Sequence, residues 1–277
     1  MAPSLALFAL VYLYPVAYSA WVSFTEWDLV QPARYVGLAN YRALCSSEFF
    51  EVLRNTAAYS VGVVLLSQGL GLVLAALLND RSRVAALFQA SIFSSYVVSW
   101  VAVSLLWIWL LDPQYGLIAA VLSSVGLRAV DWLGDHRLAL LSLVLVTVWK
   151  SVGYPMVIYL AALQAIPGDL HEAAALDGAG GWQRFRHVTW PLLTPTTLFL
   201  SITLTIASFQ GFDVVKIMTQ GGPVASTMIY VYYIYEQAFQ YFKLGKASAA
   251  VVVLFTLILA LTALQWWLLR RRVNYAQ

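Results

Sequence analysis

Long stretches without Asp, Glu, Lys or Arg limit what this chain can fold into more than any other feature. Such runs cover Ala2–Phe24, Thr56–Asn79, Val84–Leu111, Val188–Phe212 and Ala247–Leu269. A helix rises about 1.5 Å per residue, so roughly 20 apolar residues cross a hydrocarbon core, and each run is long enough. A sixth segment, Leu138–Ile166, is equally apolar but carries Lys150 near its middle. Only 10% of the 277 residues are charged, with mean hydropathy +0.76, where a soluble domain carries about 25%. In lipid every backbone N–H and C=O must pair within the protein, and the runs do not alternate, so helices rather than barrel strands are expected. The predicted architecture is an all-α integral membrane protein, one domain over 1–277 built as a bundle of six transmembrane helices. The spans are placed at 2–24, 56–79, 86–111, 138–166, 190–213 and 247–269.

Ala2–Phe24 lacks the basic start and polar cleavage end of a signal peptide and reads as a retained span. The net charge of +3 is small and dispersed, which argues against a nucleic-acid partner. Cys45 is the only cysteine, so neither an intrachain disulfide nor a thiolate metal cluster can form. Orientation follows from the basic residues. With the N-terminus inside, the inner segments hold Arg81, Arg83, Arg184, Arg186, Arg270, Arg271 and Arg272 against Asp80, Asp169, Glu172 and Asp177. The outer segments, more than twice as long, hold eight basic and nine acidic residues. The denser positive charge places both termini in the cytoplasm. Among the outer segments, a short amphipathic helix is expected around Leu117–Val125. The Tyr- and Phe-rich stretch Thr227–Phe242 reads as an interfacial aromatic belt. No internal repeat is evident.

The chain between the fourth and fifth spans, Gln164–Pro191, is not a flexible linker. Pro167 stops the fourth span, Asp169 is placed as an N-cap, and Leu170–Leu176 forms a short Ala-rich helix. Gly178, Gly180 and Gly181 end it, and Trp182–Thr189 begins a second short helix before Pro191. Two turns of helix are unstable alone in water, so this cytoplasmic helix-turn-helix needs something to dock against. The exposed Ala173, Ala174 and Ala175 allow close approach beside Glu172. On residue chemistry alone, a docking element and an ordinary interfacial hairpin both fit.

The pattern Glu172-Ala173-Ala174, with Gly178 six positions later and Pro191 beyond, resembles the EAA loop of binding-protein-dependent ABC importer permeases. Ile166-Pro167, Leu176-Asp177-Gly178-Ala179-Gly180 and Pro191-Leu192-Leu193 are similar to the carbohydrate-uptake branch, which includes maltose-type and glycerol-phosphate-type permeases. Further similarity lies in Val36-Gly37-Leu38-Ala39-Asn40-Tyr41, Trp149-Lys150-Ser151, Phe212-Asp213 and Thr219-Gln220-Gly221-Gly222-Pro223. Trp190 departs from the Leu usual before the Pro but stays apolar. The resemblance implies that loop 167–190 is a coupling helix-turn-helix seated in a cytoplasmic ATPase. Glu172, Ala173, Ala174, Asp177 and Gly178 would form its contact surface and bend. It also implies a multi-pass protein of a bacterial or archaeal inner membrane, paired with a second homologous permease, more readily a different one than a copy. Two ATPase subunits and an extracytoplasmic solute-binding protein complete the assembly. No G-x-x-x-x-G-K-[ST] occurs, so the chain is read as no enzyme and as binding no cofactor itself, with ATP and Mg on the partner ATPase. His171-Glu172 begins an H-E-x-x-H pattern, but position 175 is Ala.

An ammonium near the bilayer midplane costs about 2.5–3.5 kcal/mol on insertion scales, so Lys150 must face a partner or an aqueous cavity. It reads equally as a solute contact and as a structural ion pair with Asp213. By the same resemblance Lys150, Ser151 and Tyr154 on the fourth span, and Ser208, Gln210 and Gly211 on the fifth, fall where a maltose-type permease touches sugar. Ser95 and Ser99, four apart and so on one helical face, match in the third. For any single Ser, a hydrogen bond within its own helix is an equally ordinary use. The expected function is uptake of a sugar, polyol or glycerol-phosphate-type solute, with the loop coupling ATPase closure to alternating access. The alternative is an ion-coupled secondary transporter using Lys150 and Asp213 as a relay, a class marked by repeats and broken helices that this sequence does not display. A membrane enzyme is disfavoured because His136, His171 and His187 all fall in predicted loops.

Overall fold

The computed structural model describes residues 2–80 and 82–270. Of the arginines expected on the inner face, Arg81, Arg271 and Arg272 lie outside the described residues, and only the backbone of Arg270 lies within them. The chain is mostly helical, as its uncharged runs require, with a single two-stranded sheet among the described residues. The helices are α1 (Ala2–Phe8), α2 (Tyr14–Val22), α3 (Ala39–Leu44), α4 (Ser47–Leu77), α5 (Arg83–Val97), α6 (Trp100–Leu111), α7 (Leu117–Ser124) and α8 (Ala139–Ser151). They continue with α9 (Gly153–Gln164), α10 (Gly168–Leu176), α11 (Gly181–Arg184), α12 (Trp190–Phe209), α13 (Phe212–Met218), α14 (Tyr230–Tyr235) and α15 (Leu244–Arg270). Helical runs over Ser4–Val22, Ser47–Leu77, Gly181–Met218 and Leu244–Leu268 are long and apolar enough to cross a membrane. The pairs α5–α6, bent by 100°, and α8–α9, bent by 45°, raise the number to six if each is one span. The short helix expected near Leu117 is α7.

Two compact units result. The first comprises residues 1–56 and 228–261. Strands β1 (Thr25–Glu26) and β2 (Arg34–Tyr35) pair antiparallel, Thr25 opposite Tyr35. In the loop joining them, the N–H groups of Gln31 and Val30 both donate to Asp28 and hold its carboxyl below the usual carboxylate range. The side-chain amide of Asn40 donates to the Ser23 carbonyl at 2.9 Å and the Thr25 carbonyl at 2.8 Å. Tyr41 shares a 2.7 Å hydrogen bond with Ser23. These bonds explain the Asn40-Tyr41 pair physically: it pins the start of the hairpin. The core is Leu44, Phe49, Val52, Tyr230, Tyr233, Ala249 and Ala250. Phe49 meets Tyr230 edge-on at 5.3 Å, and the Tyr230 hydroxyl donates to the Ala250 carbonyl at 2.9 Å. This corrects the aromatic-belt expectation for 227–242. Tyr230 and Tyr233 are buried against Ala249 and Ala250 of α15, and Tyr232 is buried as well, while Phe239, Tyr241 and Phe242 remain exposed.

The second unit comprises 57–227 and 262–277. Its core joins Ala75, Met156, Tyr159, Leu160, Leu193, Leu200 and Leu204. Here α5 packs on α8 and α9, α12 on α9, and α13 on α6 and α8. Polar pairs stitch the apolar faces: the Gln68 amide donates to the Thr197 carbonyl at 2.8 Å and Tyr159 to Thr197 Oγ1 at 3.2 Å. Pro155 has no N–H for the Ser151 carbonyl, which accounts for the bend between α8 and α9. The break between α5 and α6 holds neither Pro nor Gly, since Val98 and Ser99 are simply extended. The sequence reading of an unbroken helix over 86–111, and of no broken helices at all, is therefore corrected.

Gly153 marks a close approach between two helices of this unit: a Cβ there would lie 2.8 Å from the Phe93 Cα and 2.9 Å from the Ile92 carbonyl. Neither atom is the end of a flexible side chain. Gly153→Ala is expected to force α5 and α9 apart and lower stability by about 1–3 kcal/mol, measured as a reduced thermal midpoint of the purified assembly in detergent.

Candidate functional site: a hairpin and a cavity joined by two helices

The hairpin after α9 begins where Gln164 ends that helix. Pro167 is the residue before α10, and no side chain caps the helix. Asp169 thus sits inside the first turn of α10 rather than capping it, where its charge still favours the N-terminal dipole. The other end closes as the glycine spacing requires. The Ala179 N–H donates to the Ala174 carbonyl at 2.9 Å and the Gly178 N–H to the Ala175 carbonyl at 3.0 Å. Gly178 adopts φ +79°, completing a left-handed Schellman end. Beyond it the Gly180 N–H donates to Gln183 Oε1 at 2.9 Å and starts α11.

The second leg differs from expectation. It does not stop before Pro191 but runs through a π-helical turn, Phe185–Thr189, directly into α12. A π turn widens the helix next to a ring that would otherwise strike the carbonyl four residues earlier, so Pro191 is absorbed without a break. A cleft of about 330 Å³ lies along the hairpin, lined by Ala174, Asp177, Gly178, Gln183, Arg184 and His187. Glu172 and Ala173 are exposed outside it, as are Leu176 and Trp182, 90% and 71% exposed. Exposed apolar side chains on a two-turn helix mark a surface that lacks its partner.

A second cavity of about 330 Å³ lies among the hydrophobic helices. Its wall is formed by Tyr59 and Val63 of α4, Tyr96 and Trp100 at the α5–α6 break, Thr147 and Ser151 of α8, and Tyr154 of α9. Thr203, Leu204, Ala207 and Ser208 of α12, with Gln210 and Gly211 after it, complete the wall. No Asp, Glu, Lys or Arg is among these residues. Five residues chosen from sequence meet here: Ser151, Tyr154, Ser208, Gln210 and Gly211. The Tyr59 hydroxyl bonds Thr147 Oγ1 at 2.9 Å, and Tyr96 stacks on Tyr154 with centroids 5.5 Å apart. Sequence reasoning missed Tyr59, Tyr96, Trp100, Thr147 and Thr203. Thr147, Ser151 and Tyr154 are spaced i, i+4, i+7, a signal on one helical face that was available.

The remaining three candidates, Lys150, Ser95 and Ser99, do not line this cavity. Ser99 is extended at the break, so it shares no helical face with Ser95. The Ser95 hydroxyl donates to the Ile92 carbonyl at 2.8 Å and reaches the Lys150 carbonyl at 3.2 Å. Lys150 is 3% exposed, and its Nζ donates to the carbonyls of Val98 at 2.7 Å, Tyr96 at 2.9 Å and Ser95 at 3.3 Å. It also lies 4.8 Å from the Trp100 ring centroid. Hydrogen bonds to a charged group contribute about 1.5–3 kcal/mol each, so three of them offset an insertion cost of about 2.5–3.5 kcal/mol. The ion pair with Asp213 is not formed; Asp213 is exposed in the first turn of α13. A proton relay between the two therefore has no geometric basis. His171 lies on α10 and His187 on the π turn rather than in open loops, and no group of three metal-ligating side chains occurs among the described residues.

Residues 68–274 match the family described as the binding-protein-dependent transport system inner membrane component. The chain belongs to that family. It is a multi-pass membrane permease component, not a catalytic subunit. It is 34% identical over 278 residues to the sn-glycerol-3-phosphate transport system permease protein UgpA of Agrobacterium fabrum, covering 99% of this chain and 94% of that one. It is 33% identical over 270 residues to a probable ABC transporter permease protein of Pyrococcus horikoshii, with 95% and 92% covered. Its fold matches that of a chain from a bacterial ABC transporter involved in import of the acidic polysaccharide alginate, with TM-score 0.86, 24% identity and coverage of 98% and 94%.

The permease hairpin makes a direct prediction. A side chain at φ +79° costs about 1–2 kcal/mol, so Gly178→Ala should loosen the end of α10. Hydrogen exchange at the Gly178 and Ala179 amide positions is expected to quicken about tenfold, while exchange in α9 and α12 stays as in the wild type.

Proposed function

We propose that this permease takes up a sugar, polyol or glycerol-phosphate-type solute delivered by an extracytoplasmic binding protein, in an ATP-driven importer. The observation that carries the reading is the uncharged cavity. Aromatic faces from Tyr59, Tyr96, Trp100 and Tyr154 stand beside hydroxyl and amide groups from Thr147, Ser151, Thr203, Ser208 and Gln210. Such a lining suits the C–H faces and hydroxyls of a sugar or polyol. A similar fold occurs in a transporter solved with an alginate pentasaccharide-bound periplasmic protein, and the Agrobacterium relative is named for glycerol phosphate. Both belong to the proposed class of solute.

In this proposal the chain crosses the membrane six times as one permease domain with both termini in the cytoplasm. It pairs with a second, homologous permease and two ATPase subunits, where ATP and Mg are bound. Ser151, Tyr154, Ser208, Gln210 and Gly211 form this subunit's share of the solute path. The α10 hairpin is the coupling element, with Glu172, Ala173, Ala174, Asp177 and Gly178 at or beside the ATPase contact. Support comes from its exposed Leu176 and from its covalent position. It joins α9, which carries Tyr154, to α12, which carries Ser208, so displacement of the hairpin would move both sides of the cavity. The groove of about 570 Å³ lined by Glu26, Asp28, Arg34, Lys243 and Lys246 offers both signs of charge to a docking binding protein.

The test is ATP hydrolysis by the reconstituted assembly with and without solute-loaded binding protein. Wild-type hydrolysis should rise on addition of the loaded binding protein, and the solute that produces the rise names the substrate. Glu172→Ala combined with Gly178→Pro should abolish the stimulation while the assembly remains intact on gel filtration. Uptake that follows an ion gradient and ignores ATP would overturn the proposal.

A further inference from the structure

We propose that Lys150 is a positioning residue for the solute cavity: its ammonium clasps the break between α5 and α6 and thereby holds Tyr96 and Trp100 in the cavity wall. The sequence Tyr96-Val97-Val98-Ser99-Trp100 contains nothing that breaks a helix by itself. An unbroken helix would pair its own carbonyls, whereas a break in a hydrophobic segment leaves those of its last turn without donors. Two of these, from Ser95 and Tyr96, and that of the extended Val98 converge on the Lys150 Nζ within 3.3 Å. The Ser95 hydroxyl, whose one proton has its shortest acceptor in the Ile92 carbonyl at 2.8 Å, also lies 3.3 Å from the Trp149 carbonyl and 3.2 Å from the Lys150 carbonyl. The junction is thus closed by the three Lys150 donations, with Ser95 packed against the backbone of α8.

The clasp and the cavity share their aromatic residues. Trp100 and Tyr96 present their rings to the ammonium at 4.8 and 5.8 Å and also line the cavity. Tyr96 in turn stacks on Tyr154. Lys150 therefore acts on solute through the rings it fixes, without touching solute, and α8 supplies the cation that makes the sharp bend of α5–α6 possible. The effect on solute rests on the cavity being the transport path, whereas the clasp itself does not.

Two measurements on the reconstituted assembly separate these claims. Spin labels at Leu87 of α5 and Leu106 of α6, in a Cys45→Ser background, report the angle of the bend. Binding-protein-stimulated ATP hydrolysis reports the solute concentration for half-maximal effect. Wild type should give one narrow distance distribution. Lys150→Met should broaden or shift it and raise the half-maximal concentration about tenfold, and Lys150→Arg, which keeps several donors, should restore much of both. A wild-type distribution in Lys150→Met overturns the clasp. A shifted distribution with an unmoved half-maximal concentration overturns the positioning role. Where Lys150→Met fails to assemble, Lys150→Gln takes its place under the same two criteria. If no solute stimulates the wild type, the transport reading fails, and the distance arm still decides the clasp.

Discussion

No water reaches the hydrocarbon core, so each backbone carbonyl in a span must find its donor within the protein. Straight helices meet this condition by themselves, and α4 and α15 do so over 31 and 27 residues. Of the departures from straightness among the described residues, three come with a clear local remedy. The bend at Val152 lies next to Pro155, which lacks the donor an unbroken helix would supply. The π turn over Phe185–Thr189 makes room for Pro191. The sharpest bend, at Val98–Ser99, has no proline, and a lysine from the neighbouring helix serves its carbonyls instead. A charge that is costly in lipid is tolerated because it completes a backbone that would be costly too.

Much of this was legible in the sequence. Charge-free length placed the hydrophobic helices, because hydrocarbon thickness is a one-dimensional constraint on a one-dimensional string. The hairpin could be read down to Gly178, since only a glycine comfortably takes its left-handed backbone. The break in α5–α6 was not legible. Its cause lies some fifty residues away in Lys150, and local propensity over Tyr96–Trp100 favours nothing unusual. The misplacement of Ser99 on the face of Ser95 follows from the same omission, since the four-residue rule holds only along an intact helix. The tyrosines of α14 were misjudged for a related reason: burial of Tyr230 and Tyr233 depends on Ala249 and Ala250, which composition alone cannot bring beside them. Among the cavity residues, Ser151, Tyr154, Ser208, Gln210 and Gly211 were chosen by resemblance, whereas Thr147, Thr203 and the rings of Tyr59, Tyr96 and Trp100 needed the fold.

In the proposed reading, the hairpin and the cavity divide the work of a permease between an exposed surface and a cavity among the hydrophobic helices. Family membership establishes the general role, and the geometry adds how one subunit could carry it out. The hairpin is short, closed after α10 by backbone bonds and before α11 by the Gln183 side chain, and its second leg runs directly into α12. It can therefore transmit force as a rigid piece, while its exposed Leu176 and Trp182 leave a contact to be made. The cavity is lined by aromatic rings, hydroxyls and an amide, with no Asp, Glu, Lys or Arg among its lining residues.

The most direct test of the account is a photo-cross-linker placed at Leu176 in the complete transporter. Cross-linking to the cytoplasmic ATPase subunit, with a yield that changes between nucleotide-free and ATP-bound states, is the predicted result. Adducts confined to lipid or to this chain, unchanged by nucleotide, would contradict the proposal that α10 couples ATPase closure to the solute path.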